Sequence, residues 1–211
     1  MRSLFLAIVT AFCLFHGLPR QAAAQESRLD GSLKVKTKAG VTLIQDKSKP
    51  VRNALEQQHA RIAEAYLRGT PGVVFALRTR DFSVMMPNGE RWDAGQSAAY
   101  VRAGFEQVER TLSLSFTIRE VNVRRDTAAA LIHQRWSRMQ MKVGKVRRVE
   151  TSACQRETWV NSAAGWRLHL VDRIQPLVWA VDGKRVDPSR PYDPRARPYA
   201  PKVEPESPCT P

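Results

Sequence analysis

Five side chains in the later part of the chain have the types and spacing to handle a small molecule: Trp136, Arg138, Glu157, Trp159 and Asp172. Residues two apart on a strand share a face. Trp136 therefore sits beside Arg138, and Glu157 beside Trp159, while Trp166, Leu168, Leu170 and Asp172 share one side of a further run. If these faces converge, indole walls and three charged groups surround one space, the usual composition of a ligand pocket. The chemistry on offer is orientation of an apolar or amphipathic molecule. The alternative is proton abstraction by Asp172 or Glu157, with Arg138 facing a developing oxyanion. The same residues serve equally well as core tryptophans and an ion-pair network closing one end of the fold. A register slip of one residue exchanges the inward set for His133, Arg135 and His169.

Other chemistry finds little support. The four histidines, His16, His59, His133 and His169, are dispersed, and no zinc-type Cys/His spacing occurs. There is no glycine-rich phosphate loop and no nucleophile elbow, so neither a metal nor a nucleotide cofactor is expected.

The elements that must position these residues read clearly. Leu112, Leu114, Phe116 and Ile118 alternate with polar residues, the period of a half-buried strand. The phase changes near Glu120, as a β-bulge produces. Further runs span Thr127 to Met141, about Val149 to Val160, and Trp166 to Ile174. Short turns between them predict antiparallel neighbours. Upstream, Pro50 opens a helix whose apolar stripe is Leu55, His59, Ile62 and Tyr66, stopped at Gly69. Pro71 opens a shorter helix, Asp81 to Met86 a short strand ending in Pro87-Asn88-Gly89, and Asp93 with Gln96 has capping-box spacing before a third helix. Helices followed by a four-stranded sheet give an α+β roll.

The ends are different. Residues 1–24 have the charged, apolar and small-residue order of a secretory signal, with the cut expected before Gln25. The apolar core is short for a membrane span. Losing Arg2 and Arg20 lowers the formal charge from +14 to +12, which favours anionic partners such as an envelope surface. No nucleic-acid-binding motif accompanies the charge, so nucleic acid is not the expected partner. Residues 25–47 read as a basic arm with a marginal hairpin. Residues 48–176 form the roll, 177–187 a small hairpin turning at Asp182-Gly183, and 188–211 a proline-rich tail. Two cysteines remain after cleavage. An oxidising compartment permits a bridge from Cys154 to Cys209, although sequence does not fix their separation.

The helix ending at Gly69, the Asp81–Val84 strand with Pro87-Asn88-Gly89, and Trp159 followed by Gly165-Trp166-Arg167-Leu168 resemble the nuclear transport factor and ketosteroid isomerase superfamily, in particular its SnoaL-like, cystatin-like branch. The resemblance runs from about Val51 to Ile174. It implies a cone-shaped roll with a curved, mostly antiparallel sheet, an apolar pocket and frequent homodimers. Counting from Gly69, the isomerase acid position falls on Met86 and its tyrosine on Ile62. Neither can transfer a proton, so the resemblance implies non-catalytic binding of a small ligand or a partner protein rather than ketosteroid isomerisation.

Overall fold

The computed structural model describes residues 48–187 and 190–200, Cys209, and the backbone of 32–36 and 42–46. The signal segment lies outside the described residues. β1 (Ser32–Lys36) and β2 (Thr42–Asp46) pair antiparallel, as the expected N-terminal hairpin.

Helix α1 (Ser48–Arg68) carries Pro50 in its first turn and ends before Gly69, whose φ of 68° is the left-handed cap that glycine adopts cheaply. It buries Leu55, His59, Ile62 and Ala65 along one side. Helix α2 (Pro71–Ala76) follows at once, then β3 (Arg78–Met85), β4 (Arg91–Asp93) and helix α3 (Ala94–Gln107). Asp93 and Gln96 make both bonds of the capping box, so the start of α3 is fixed by its own residues.

The sheet is dominated by four long strands, β5 (Val108–Arg124), β6 (Thr127–Lys142), β7 (Lys145–Ser162) and β8 (Gly165–Val181). Each exceeds its sequence-based expectation, β8 most of all, because the apolar stretch 175–181 goes on pairing with β7. The spatial order is β4-β3-β8-β7-β6-β5, with β9 (Lys184–Arg185) returning on β8 through Asp182-Gly183. Every pairing is antiparallel except β3 with β8. The sheet is curved, and the register shift between Ile118 and Glu120 is the bulge expected there.

One core joins helices to sheet: Leu55, Ile62, Val74, Leu77, Phe82 and Val84 meet Ile118, Ala128, Ala130, Ile132, Trp159, Leu168 and Val171. The three alanine and isoleucine positions of β6 leave room for the indole of Trp159, which is 0 % exposed. Ile62 and Met86 both belong to this apolar packing. Among the described residues no helix is long and apolar enough to cross a membrane.

Cys154 and Cys209 form a disulfide, with Cα atoms 5.3 Å apart. The bond ties the chain end to the outer face of β7, while Tyr199 donates its backbone N–H to the Arg185 carbonyl at 2.9 Å. Cutting a link across 55 residues frees the unfolded chain. Cys209→Ser should therefore cost about 2–4 kcal/mol of stability, and thermal unfolding with and without reductant should differ for the parent chain but not for the variant.

Candidate functional site

The inner face of β7 presents Gln155, Glu157 and Trp159 toward α1. Glu157 is 1 % exposed, and both its oxygens are engaged. Its Oε2 lies 2.9 Å from His59 Nε2 and accepts from Trp159 Nε1 at 2.8 Å, while Oε1 accepts from Gln155 Nε2 at 2.7 Å. The His59 ring stacks on Phe116 at 4.8 Å and meets Trp159 edge-on at 5.4 Å. Its Nδ1 is buried without a hydrogen-bond partner. Burial by itself would raise the Glu157 pKa. Electrostatic attraction to the His59 imidazole and the three hydrogen bonds outweigh that, and hold the carboxyl below its ordinary range. Both oxygens are engaged, and the bond at Oε2 fixes the imidazole between two sealed groups.

A second group lies at the other end of the same face. Trp136 and Arg138 project inward from β6, with Thr151 opposite on β7. The Arg138 guanidinium lies 3.8 Å above the Trp136 ring, donates from Nε to Gln140 Oε1 at 2.8 Å, and from Nη1 to Thr151 Oγ1 at 3.0 Å. Trp136 Nε1 donates to Thr111 Oγ1 at 3.3 Å. Tyr66 from α1 meets Trp136 edge-on at 5.1 Å and packs against Phe105 of α3 at 4.6 Å. Arg138 is 8 % exposed, and burial lowers its pKa to about 10 even though Tyr100 and Tyr66 pull the other way. Burial likewise raises the Tyr66 phenol, against the pull of Arg78 and Arg138.

The structure thus gathers Glu157 with Trp159, and Trp136 with Arg138, as two groups. Thr151 and Glu157 stand six residues apart on β7, so the groups are separated by about 20 Å along the strand. Asp172 joins neither. Trp159 pairs with Leu168 but Thr158 with Leu170, so one extra residue, His169, bulges in β8. The bulge turns Asp172 to the outer face, where it takes a bidentate pair from Arg156, both contacts at 2.9 Å. The inward placement expected for Asp172 is therefore corrected. His133 also faces out, with Nε2 2.7 Å from Ser152 Oγ, beside a cavity of about 540 Å³ that Arg135 and Arg148 help to line. A second cavity of about 650 Å³ lies where β3 and β4 meet the start of α3. Among the described residues no three His, Cys, Asp or Glu side chains gather as a metal site would require.

Sequence reasoning did not join His59 to Glu157, or Tyr66 and Phe105 to Trp136. The helix stripes carried the signal, since each of these residues sits on an inward line of α1 or α3.

The layout of long bulged strands around three helices recurs in solved structures. The Kfla4162 protein of Kribbella flavida aligns at 17% identity and TM-score 0.54, over 64% of this chain and 95% of its own. A hexachlorocyclohexane dehydrochlorinase, LinA type 2, aligns at 8% identity and TM-score 0.53, over 74% and 97%. The chain has the nuclear transport factor 2-like fold. A Salmonella enterica protein described by that superfamily name aligns at 14% identity and TM-score 0.48, over 65% and 94%. No family model matches the chain, and no curated protein matches it in sequence. At these identities the likeness is one of architecture: a nuclear transport factor 2-like cone fixes where side chains point, not what they act on.

Within that cone the His59–Glu157 pair should be a strong structural determinant. Glu157→Ala leaves the imidazole buried beside an empty space and should cost about 3–5 kcal/mol at neutral pH, read by chemical denaturation. A carboxyl whose folded pKa is depressed stabilises in full above its ordinary 4.5 and loses that contribution as pH falls through the lower folded value. The gap between parent and variant should therefore shrink progressively below that pH.

Proposed function

We propose that this is an exported, non-catalytic binding protein whose cone takes a small amphipathic molecule at the end formed by Tyr66, Phe105, Trp136 and Arg138. One observation carries the reading. These three rings are held in fixed mutual geometry yet only half-buried, whereas Trp159, deeper in the same sheet, is sealed. Aromatic surface that is ordered but unsealed, with a cation at its edge, offers a ligand large contact area at small ordering cost. Glu157 and Trp159 contribute to the reading by holding the wall that the site is built on.

Catalysis by Glu157 or Asp172 has less to recommend it. Both Glu157 oxygens already accept bonds, and Asp172 is committed to Arg156 on the other side of the sheet. One fold neighbour is named as a dehydrochlorinase. That name speaks for the capacity of the architecture and not for these residues. Export, and attraction of the strongly basic mature chain to an anionic envelope surface, complete the reading.

Native mass spectrometry of the protein purified from its export compartment should show a retained small molecule and an N-terminus at Gln25. Trp136→Ala should lose the molecule while keeping the parent circular dichroism. A protein that emerges empty, or retention indifferent to Trp136, would sink the proposal.

A further inference from the structure

The same end of the cone carries positive charge that its own acids do not balance. Arg138 is 8 % exposed, and no carboxylate of a described residue lies within ion-pair reach of it. Its Nε and Nη1 are used by Gln140 and Thr151, both neutral, which leaves Nη2 without a partner among the described residues. Two more cations share the neighbourhood. Lys142, four residues along the same strand face, feels the Arg138 charge and has its pKa lowered, chiefly by burial. Arg78 reaches Tyr66 from β3, and donates only to the Ser97 hydroxyl, at 3.3 Å. Neither has a carboxylate partner among the described residues.

Unused donors accompany them. Arg78 Nε is buried with no partner, and so is Nε1 of Trp179, whose ring lies 5.5 Å from Lys142 Nζ. Four acids are committed elsewhere: Glu157 to His59, Asp172 to Arg156, Asp182 to Arg147, and Glu150 to Arg148. Half-buried cations without counter-ions are expensive, and proteins normally arrange a partner for them. Ring faces and neutral oxygens offset part of that cost here. What is missing is one negative charge.

Resting on the binding role proposed above, we infer that the ligand is an organic acid, its flat apolar body against Trp136, Tyr66 and Phe105 and its anionic group on the unused Nη2 of Arg138. Lys142 and Arg78 supply attraction from either side without needing direct contact, because charges act strongly across partly buried space. A carboxylate suits Nη2, since an ionised acceptor makes a shorter and stronger hydrogen bond than a neutral one. The head group thereby meets donors that water now serves, while the rings need no rearrangement.

The test compares two probes of the same size and shape, 2-naphthoate and 2-naphthamide, by titration calorimetry on the full chain. Naphthoate should bind about tenfold more tightly or better, as one charge-assisted pair provides, and its advantage should fall as salt is raised. Arg138→Gln should cut the naphthoate advantage to the few-fold that Lys142 and Arg78 still supply. Lys142→Met, a half-exposed position near the end of its strand, should weaken naphthoate by about threefold and leave naphthamide unchanged. If Arg138→Gln does not fold, the Lys142 variant and the salt series decide the matter by themselves. Equal affinity of the parent chain for both probes overturns the acid assignment and leaves the binding role standing. Failure of both probes to bind overturns the binding role itself.

Discussion

A carboxylate buried in the middle of a sheet constrains everything around it. Glu157 can occupy the inner face of β7 only because an imidazole, an indole and an amide converge on it. Two of those groups come from its own strand, two residues to either side, and are set by the pleat alone. The third, His59, has to be delivered by α1, so the polar contact fixes the azimuth of that helix as well as its position. Apolar packing tolerates a helix that slides or turns by a few degrees, whereas a hydrogen bond of 2.9 Å between sealed groups does not. The stripe of Leu55, Ile62 and Ala65 follows from that setting, and with it Tyr66, one turn beyond Ile62, arrives against Trp136. The aromatic end of the cone is in this sense positioned by a pair of residues far from it.

Much of the architecture was legible in the sequence, for reasons that are local. Pro50, Gly69, Pro71 and the Asp93–Gln96 box mark helix ends through backbone chemistry that needs no tertiary partner. The alternation from Leu112 to Ile118 and the break at Glu120 report a strand and its bulge directly. What sequence could not reveal is the number of bulges. β8 shifts register against β7 after Leu168, again between Asp172 and Gln175, and once more between Pro176 and Val178. Each shift exchanges the two faces for every residue that follows. Trp166 and Leu168 therefore read correctly as inward, whereas Asp172, four residues on, was lost. Arg173, with φ of 47°, marks one such irregularity, and nothing in an arginine announces it.

The two faces of the sheet have different economies. Inside, polar groups meet one another in pairs and the remaining surface is apolar. On the outer face and at the β8–β9 turn the pattern is ionic and exchangeable: Arg156 with Asp172, Arg148 with Glu150, and Arg147 with Asp182. Such pairs, partly exposed, contribute little stability individually. They do neutralise acids that would otherwise compete for the inner cations. The tail adds a covalent element to the outer face, with Cys209 buried beside the Ile132 carbonyl. That anchors the chain end over β6 and β7 and keeps it away from the concave side.

The parallel pairing of β3 with β8 has a temporal implication. Leu168 donates its backbone N–H to the Leu77 carbonyl, and Val84 pairs with Val171, so a strand made early waits for the last long strand of the sheet. Until β8 is in place, Phe82 and Val84 lack Leu168 and Val171, whereas α1 already has Phe116 and Ile118 of β5 to rest on. Closure across such long loops is slow in comparison with hairpin formation between adjacent strands. The β5–β8 meander joins strands adjacent in sequence, whereas β3 gains its parallel neighbour only from the far end of that meander.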